Sequence, residues 1–345
     1  MSQPIPSQSE TDFSLKFAFM QMATSNWLSQ SIYAAAKLGI ADLLIDRAKN
    51  YEEIATATQC HPRSIYRLLR ALASVGIFAE TDIGYFTLTP LANYLQSDSP
   101  DSLRAMSVMN GEEQYRSWGD ILYSLQTGNS TFENSYGMNV FKYFAQNPEQ
   151  AKIFNQAMTS YSVVQNKGLI LDYDFSGIKT LVDVGGGNGK LLSEVLRNHP
   201  EMKGILYDLP EVVASSQPLI AAAGLADRCQ IIGGNFFEEV PAGGDAYILK
   251  FILHDWGSQK SIEILKRCRE VIPANGKLLI AEYVIPPGNE PSFGKFLDMH
   301  MLIMCQGGCE RTEEEYRFLL SQAGFELTKV VPTKSMMSVI ESVPI

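Results

Sequence analysis

The segment LVDVGGGNGK sets Gly185, Gly187 and Gly189 directly after an apolar run and ahead of a helical pattern. Alternating glycines at the carboxyl end of a strand let a ligand approach backbone that a Cβ would otherwise cover. A dinucleotide loop requires G-x-G-x-x-G, but counted from Gly185 the sixth position is Lys190, and counted from Gly187 it is Leu192. A nucleoside-triphosphate loop requires Gly-Lys followed by Ser or Thr, whereas Gly189 and Lys190 are followed by Leu191. What remains is a cofactor with a nucleoside end and no phosphates. Asp208 ends the next strand, 23 positions after Gly185, and its carboxylate can accept from both ribose hydroxyls. S-adenosylmethionine fits that description. His254 lies just past a later strand, at the same carboxyl edge, and an unperturbed imidazole with a pKa of about 6.5 is largely neutral and proton-accepting near neutrality. Glu282 ends the following strand, 28 residues on, and Glu310 opens a late helix, so both can converge on one rim with His254.

These residues need a scaffold, and the texture of the chain supplies one. From Lys179 onward strands and helices alternate: KTLVDVGGG, KGILYDLP, RCQIIGGNFF, DAYILKFIL and KLLIAEYVI read as five strands of a parallel sheet. SQKSIEILKRCREVI is an amphipathic helix between the last two, ERTEEEYRFLLSQAGFE a helix ended by Gly324, and LTKVVPT with MMSVIES a final strand pair. Upstream, YEEIATATQC and HPRSIYRLLRALASVG form two helices, and IFAETDIGYFTLTP a hairpin turning near Asp82 to Gly84, a winged-helix-like outline. The fold class is α/β, a Rossmann-like sheet with helices on both faces, preceded by a mostly helical domain. The expected boundaries are a loose tail over 1–12, the winged-helix-like domain over 13–105, helices of a linker and substrate pocket over 106–168, and a catalytic domain over 169–345.

The 345 residues suffice for two cores. Against 28 Lys and Arg stand 38 Asp and Glu, a net charge of −10, which disfavours nucleic acid and anionic membranes as partners. Arg63, Arg67 and Arg70 lie where a recognition helix would carry them, but they make one stripe beside an acidic hairpin, so the module reads as packing or dimerisation rather than as a DNA-binding regulator. Cys60, Cys229, Cys268, Cys305 and Cys309 lack the spacing of a disulfide framework and read as free thiols in a reducing, cytoplasmic setting. His300, Cys305 and Cys309 offer three ligands without a fourth at normal spacing, so no metal is expected.

LVDVGGGNGK, YDLPEVV, GGNFFEEVP, LKFILHDW and GGCERTEEEYRFLLSQAGF together resemble the S-adenosylmethionine-dependent O-methyltransferases of the plant caffeic acid and acetylserotonin type, which also serve bacterial natural-product pathways. The similarity covers nearly the whole chain. It implies a homodimer formed through the N-terminal domain, and a cofactor held by Gly185, Asp208 and Leu209, with Asn235 and Phe236 at the adenine and Lys250 alongside. Family members usually carry aspartate at the position of Asn235, so charge assistance to the adenine amino group is missing here.

The resemblance also places the catalytic centre at His254, Glu282 and Glu310. His254 would take the proton of a phenolic hydroxyl, whose pKa of about 10 makes it a poor nucleophile, while both carboxylates fix the imidazole tautomer and stabilise its cation. S-adenosylhomocysteine is the product. Phe154, Met158, Phe251, His300, Met301 and Met304 are the expected contacts to a small aromatic acceptor, although the methionine stripe also suits core packing. N-methylation on the same fold is the alternative chemistry.

Overall fold

The computed structural model describes residues 8–345, which divide into two compact units: residues up to Arg116 together with Glu149–Ser160, and Ser117–Pro148 together with Tyr161–Ile345.

The first unit is helical around a small sheet. Helix α1 (Gln8–Ala23) is followed by α2 (Ser25–Lys37). Residues 8–12, expected in a loose tail, therefore belong to a helix, and residues 1–7 of that tail lie outside the described residues. Helix α3 (Tyr51–Thr58) starts at a capping box in which Asn50 accepts from the Glu53 N–H and Glu53 accepts from the Asn50 N–H. Helix α4 (Pro62–Ala73) opens on Pro62 and buries Ile65, Leu69 and Leu72, an i, i+4, i+7 stripe. Strands β1 (Lys49–Asn50), β2 (Phe78–Asp82) and β3 (Tyr85–Leu88) pair antiparallel in the order β1-β3-β2. Their core joins Ala35, Ala36, Ile40, Ile54, Leu69, Leu72, Phe78 and Phe86. The guanidinium groups of Arg63 and Arg70 lie 5.2 and 5.5 Å from the Tyr66 ring centre, so two of the three stripe arginines are engaged with an aromatic face.

The second unit is built on seven strands: β4 (Thr180–Val184), β5 (Lys203–Asp208), β6 (Cys229–Gly233), β7 (Ala246–Lys250), β8 (Lys277–Glu282), β9 (Phe325–Pro332) and β10 (Ser338–Pro344). Their order is β6-β5-β4-β7-β8-β10-β9; the first five run parallel, and β10 pairs antiparallel with β8 and β9. The five parallel strands and closing pair read from the sequence are thus the observed sheet. Alternate residues feed two cores. Val182, Val184, Tyr247, Leu249, Leu278 and Ile280 pack on one face, and Leu181, Ile248, Leu279 and Ala281 on the other, which is why these strands read as continuous apolar runs. The chain leaves β4 toward β5 and β6 and returns on the other side through β7 and β8. The switch point therefore lies between β4 and β7, where open sheets of this type bind ligands.

The division differs from the expected boundaries in the middle of the chain. Residues 117–148 belong with the sheet unit, and the long helix α5 (Pro148–Asp172) contributes 149–160 to the first unit and 161–172 to the second, which also carries α6 (Lys190–Asn198) and α7 (Ser258–Val271).

Candidate active site

The glycine loop leaves β4 with Gly185 and Gly186 N–H both donating to the Tyr207 carbonyl of β5, at 2.8 and 3.1 Å. Gly185, Gly187 and Gly189 have φ of +73°, +59° and +78°, a backbone region open to glycine and costly for other residues. Asp208 accepts from Gly187 N–H at 2.8 Å with Oδ2 and from Leu209 N–H at 2.7 Å with Oδ1, so its carboxylate braces the loop; burial pushes its pKa up. Leu209 beside it is exposed. Phe236 lies against Gly185, its Cε1 3.7 Å from where a Cβ would stand. Asn235 is tied into its own turn: Oδ1 accepts from Phe237 N–H at 3.0 Å, and the amide nitrogen donates to Glu238 Oε1 at 3.1 Å.

Beneath the loop the sheet carries a buried polar cluster. Lys250 Nζ donates to Ser162 Oγ at 3.0 Å and to Asn166 Oδ1 at 2.8 Å, both on α5. Burial lowers the Lys250 pKa against the opposing pull of Asp183, and burial raises that of Asp183. Asp183, Asn166 and Gln165 are almost fully buried, yet Asp183 Oδ2, Asn166 Nδ2 and Gln165 Oε1 have no hydrogen-bond partner among the described residues.

His254 sits in a single turn of 3-10 helix, Leu253–Asp255, reached from β7 through Phe251, which holds φ of +55°. A non-glycine residue held in this region needs surroundings that over-determine it. Glu282 supplies them. Fully buried at the end of β8, its Oε1 accepts from the N–H groups of Ile252, Leu253 and His254 at 3.0, 2.7 and 3.2 Å, and its Oε2 accepts from the Tyr316 hydroxyl. Arg311 donates to the carbonyls of Leu253 and Trp256 at 2.9 and 2.7 Å, closing the same turn.

Glu310 alone of the expected pair meets the imidazole, its Oε1 2.8 Å from Nδ1. Glu282 does not reach the ring: all its oxygen contacts are spent on the turn's backbone and Tyr316, because the strand end lies under the turn rather than beside the side chain. Glu310 is oriented by its own N–H, which donates to Asp298 Oδ1 at 2.9 Å, and lies three residues ahead of helix α9 (Glu313–Gln322) rather than within it. Asp255 Oδ1 stands 3.7 Å from Nε2, beyond a hydrogen bond. Burial alone would lower the His254 pKa, but the carboxylates of Asp255, Glu310 and Glu282 outweigh it and push it up to about 9. The ring is therefore more basic than the unperturbed imidazole expected from the sequence.

Aromatic side chains surround this ring. Phe251 stacks on His254 with centroids 5.3 Å apart, on Tyr283 at 5.7 Å, and tilts against Tyr161 at 6.0 Å. The hydroxyls of Tyr161 and Tyr283 share a hydrogen bond, and Gln165 donates to the latter at 2.9 Å. Helix α8 (Phe293–Met304) carries His300, whose Nδ1 accepts the Trp118 indole N–H at 3.0 Å. Met301 and Met304 are buried, and Met304 packs with Phe132, Val140 and Ile303, a core role. Phe154 and Met158 belong to the 149–160 stretch of α5 in the first unit, not to the unit that carries His254.

A model of the O-methyltransferase domain matches residues 118–326, and one of the O-methyltransferase dimerisation domain matches residues 20–98. The chain belongs to the O-methyltransferase family. Phenazine O-methyltransferase PhzM of Lysobacter antibioticus is 49% identical over 331 residues, covering 96% of this chain and 97% of the relative. The crystal structure titled LaPhzM superposes with a TM-score of 0.91 at 49% identity over 96% of this chain and 99% of that one. NcsB1, an O-methyltransferase from neocarzinostatin biosynthesis solved with S-adenosylmethionine and 2-hydroxy-5-methyl naphthoic acid, matches with a TM-score of 0.80 at 30% identity over 92% of this chain and 96% of that one.

Several residues of the candidate site were not expected from the sequence. Asp183 had a signal, a carboxylate inside the apolar run LVDV just ahead of the glycines. Arg311 also had one, as the cation inside ERTE. Asn166, Tyr161, Trp118 and Tyr283 had none, because a polar or aromatic residue in a helical or strand pattern does not announce its partner.

Proposed function

We propose that this O-methyltransferase moves the methyl group of S-adenosylmethionine to the hydroxyl of a small aromatic acceptor, with His254 as general base and Glu310 as the residue that positions it. The observation that carries this is the 2.8 Å His254–Glu310 contact at the edge of the sheet that also bears the glycine loop. The residues fit the cofactor: a loop free of Cβ atoms at Gly187, the Asp208 carboxylate beside it, and the unpartnered atoms of Asp183 and Asn166 next to Lys250 are the polar cradle a nucleoside and an amino-acid group require. Gly185, Asp208, Leu209, Asn235, Phe236 and Lys250 would hold it, Asn235 through whichever lone pair its own turn leaves. When bound, S-adenosylmethionine supplies a methyl group on a sulfonium and leaves as S-adenosylhomocysteine.

Glu310 occupies Nδ1 and thereby leaves Nε2 as the nitrogen that meets the acceptor. Nε2 of the neutral ring accepts the hydroxyl proton, which readies the acceptor oxygen as a nucleophile. Raising the imidazole pKa to about 9 brings it near that of a phenol, about 10, so this proton is shared at small cost. Phe251 and Tyr161, partly exposed, offer apolar ring surface to a flat acceptor, with the buried Tyr283 packed behind Phe251. The first unit, matching a dimerisation domain, would pair two chains.

Calorimetric titration with S-adenosylhomocysteine is expected to show micromolar binding that Asp208→Ala abolishes. A hydroxyphenazine, chosen because PhzM of Lysobacter antibioticus is a phenazine O-methyltransferase, is the first acceptor to assay. His254→Ala is expected to cut kcat on it by about 100-fold or more while leaving that titration unchanged. Turnover undiminished in His254→Ala would overturn the assignment of the base.

A further inference from the structure

Among the histidines of the second unit, His254 and His300 have pKa values pushed in opposite directions, and only His254 takes part in the proton transfer above. His300 lies on α8 between two points at which that helix region touches the catalytic turn: Asp298 accepts from the Glu310 N–H, and Cys305 Sγ stands 3.7 Å from Asp255 Oδ1. An indole N–H can only donate. Since the Trp118 Nε1–H donates to His300 Nδ1 at 3.0 Å, with the two ring planes 16° from parallel, Nδ1 carries the lone pair and the proton of the neutral ring sits on Nε2. Burial and the nearby cation of His254 push the His300 pKa down to about 4, so the ring stays neutral through the working range of pH. Nε2–H has no partner among the described residues.

We infer that His300, locked by Trp118 as an Nε2–H tautomer, donates a hydrogen bond to an acceptor atom borne by the aromatic substrate, and so selects hydroxyarenes that carry a ring nitrogen or a ring-attached carboxylate over their all-carbon analogues. This rests on the proposed function, since it takes the His254 turn as the site of methyl transfer. A site built around a fixed donor discriminates against a ligand that leaves the donor unpaired. A second cation in place of His300 would also compete with the His254 imidazolium for the phenolate; a neutral donor reads the acceptor atom without doing so.

The test compares kcat/KM for two probe pairs: a hydroxyphenazine against the corresponding hydroxyanthracene, and a hydroxynaphthoate against the corresponding naphthol. Wild type is expected to favour the heteroatom member of at least one pair by about 10-fold or more. The pair that shows it tells ring nitrogen from carboxylate. His300→Phe is expected to bring that ratio close to one, Trp118→Phe to reduce it by freeing the tautomer, and His300→Gln, which keeps an N–H, to retain part of it. S-adenosylhomocysteine titration of each variant reports that the fold is intact. Equal rates for both members of both pairs in wild type, or a ratio unchanged in His300→Phe, would overturn the inference while leaving methyl transfer standing. Failure of wild type both to bind S-adenosylhomocysteine and to methylate any probe would instead overturn the proposed function, and this inference with it.

Discussion

At His254 three carboxylates converge with separate tasks: Glu310 takes Nδ1, Asp255 stands 3.7 Å from Nε2, and Glu282 holds the backbone on which the ring is mounted. Together they raise the His254 pKa to about 9. For a group that must be neutral to accept a proton, the sign is that kcat/KM rises with pH and levels off above that value. Glu310→Gln removes one of the raising charges, so the acid limb of the profile is expected to move to lower pH, with kcat reduced by about 10- to 100-fold as the ring loses its orientation. A limb that stays in place would mean that Glu310 does not set the basicity of His254. Glu282→Gln predicts a different symptom. An amide cannot accept from three N–H groups and a hydroxyl as a carboxylate does, so stability is expected to fall by about 2 kcal/mol, read as roughly 4–8 °C in Tm of the sheet unit. The position of its pH limb is expected to change less than in Glu310→Gln.

The glycine loop illustrates what an element contributes beyond its residues. At Gly187 a Cβ would meet nothing within 4 Å, so Gly187→Ala pays only for the left-handed backbone, about 1 kcal/mol. At Gly186 a Cβ would stand 2.7 Å from the Asp183 Cγ and press on Leu206 as well, inside the buried polar cluster. Gly186→Ala is therefore expected to weaken S-adenosylhomocysteine binding and lower Tm more than Gly187→Ala does; the reverse ranking in calorimetry and thermal melting would show that the close approach of Gly186 to Asp183 and Leu206 is not needed. The His254 turn depends on its neighbours in the same way: β8 delivers Glu282, the segment before α9 delivers Glu310 and Arg311, and the left-handed φ of Phe251 is held between them.

Across the molecule, exposed apolar side chains are unevenly distributed. The net charge is −10, and no helix among the described residues is long and apolar enough to cross a membrane. Yet α1 and the start of α2 expose Leu15, Phe17, Phe19, Met20, Met22, Trp27 and Leu28, with Phe19 at 72% and Trp27 at 69% of full exposure. Such a contiguous run marks an interaction surface rather than a solvated face, and most of it lies within the stretch that matches the dimerisation domain. Phe19→Glu combined with Trp27→Glu is expected to convert a dimer to a monomer in analytical ultracentrifugation, while the sheet unit keeps its affinity for S-adenosylhomocysteine. A variant that sediments as the wild type would place the dimer contact elsewhere.

Much of this was legible in the sequence because it is local. Strand and helix periods, the alternating glycines of LVDVGGGNGK, the Gly324 stop and the five strand runs depend on residues within about a dozen positions of one another, where backbone geometry imposes its own spacing. His254 stood out as the candidate base for a similar reason, since few residue types do proton transfer near neutrality. Tertiary structure alone decided which atoms meet. It separated Glu282 from Glu310, tied Asn235 into its own turn, gave Lys250 its partners on α5, and chose the tautomer of His300 through Trp118, 182 residues away in the chain. A hydrogen bond depends on atoms brought within about 3 Å by the packing of distant segments, and no periodicity in a single stretch of chain encodes that distance.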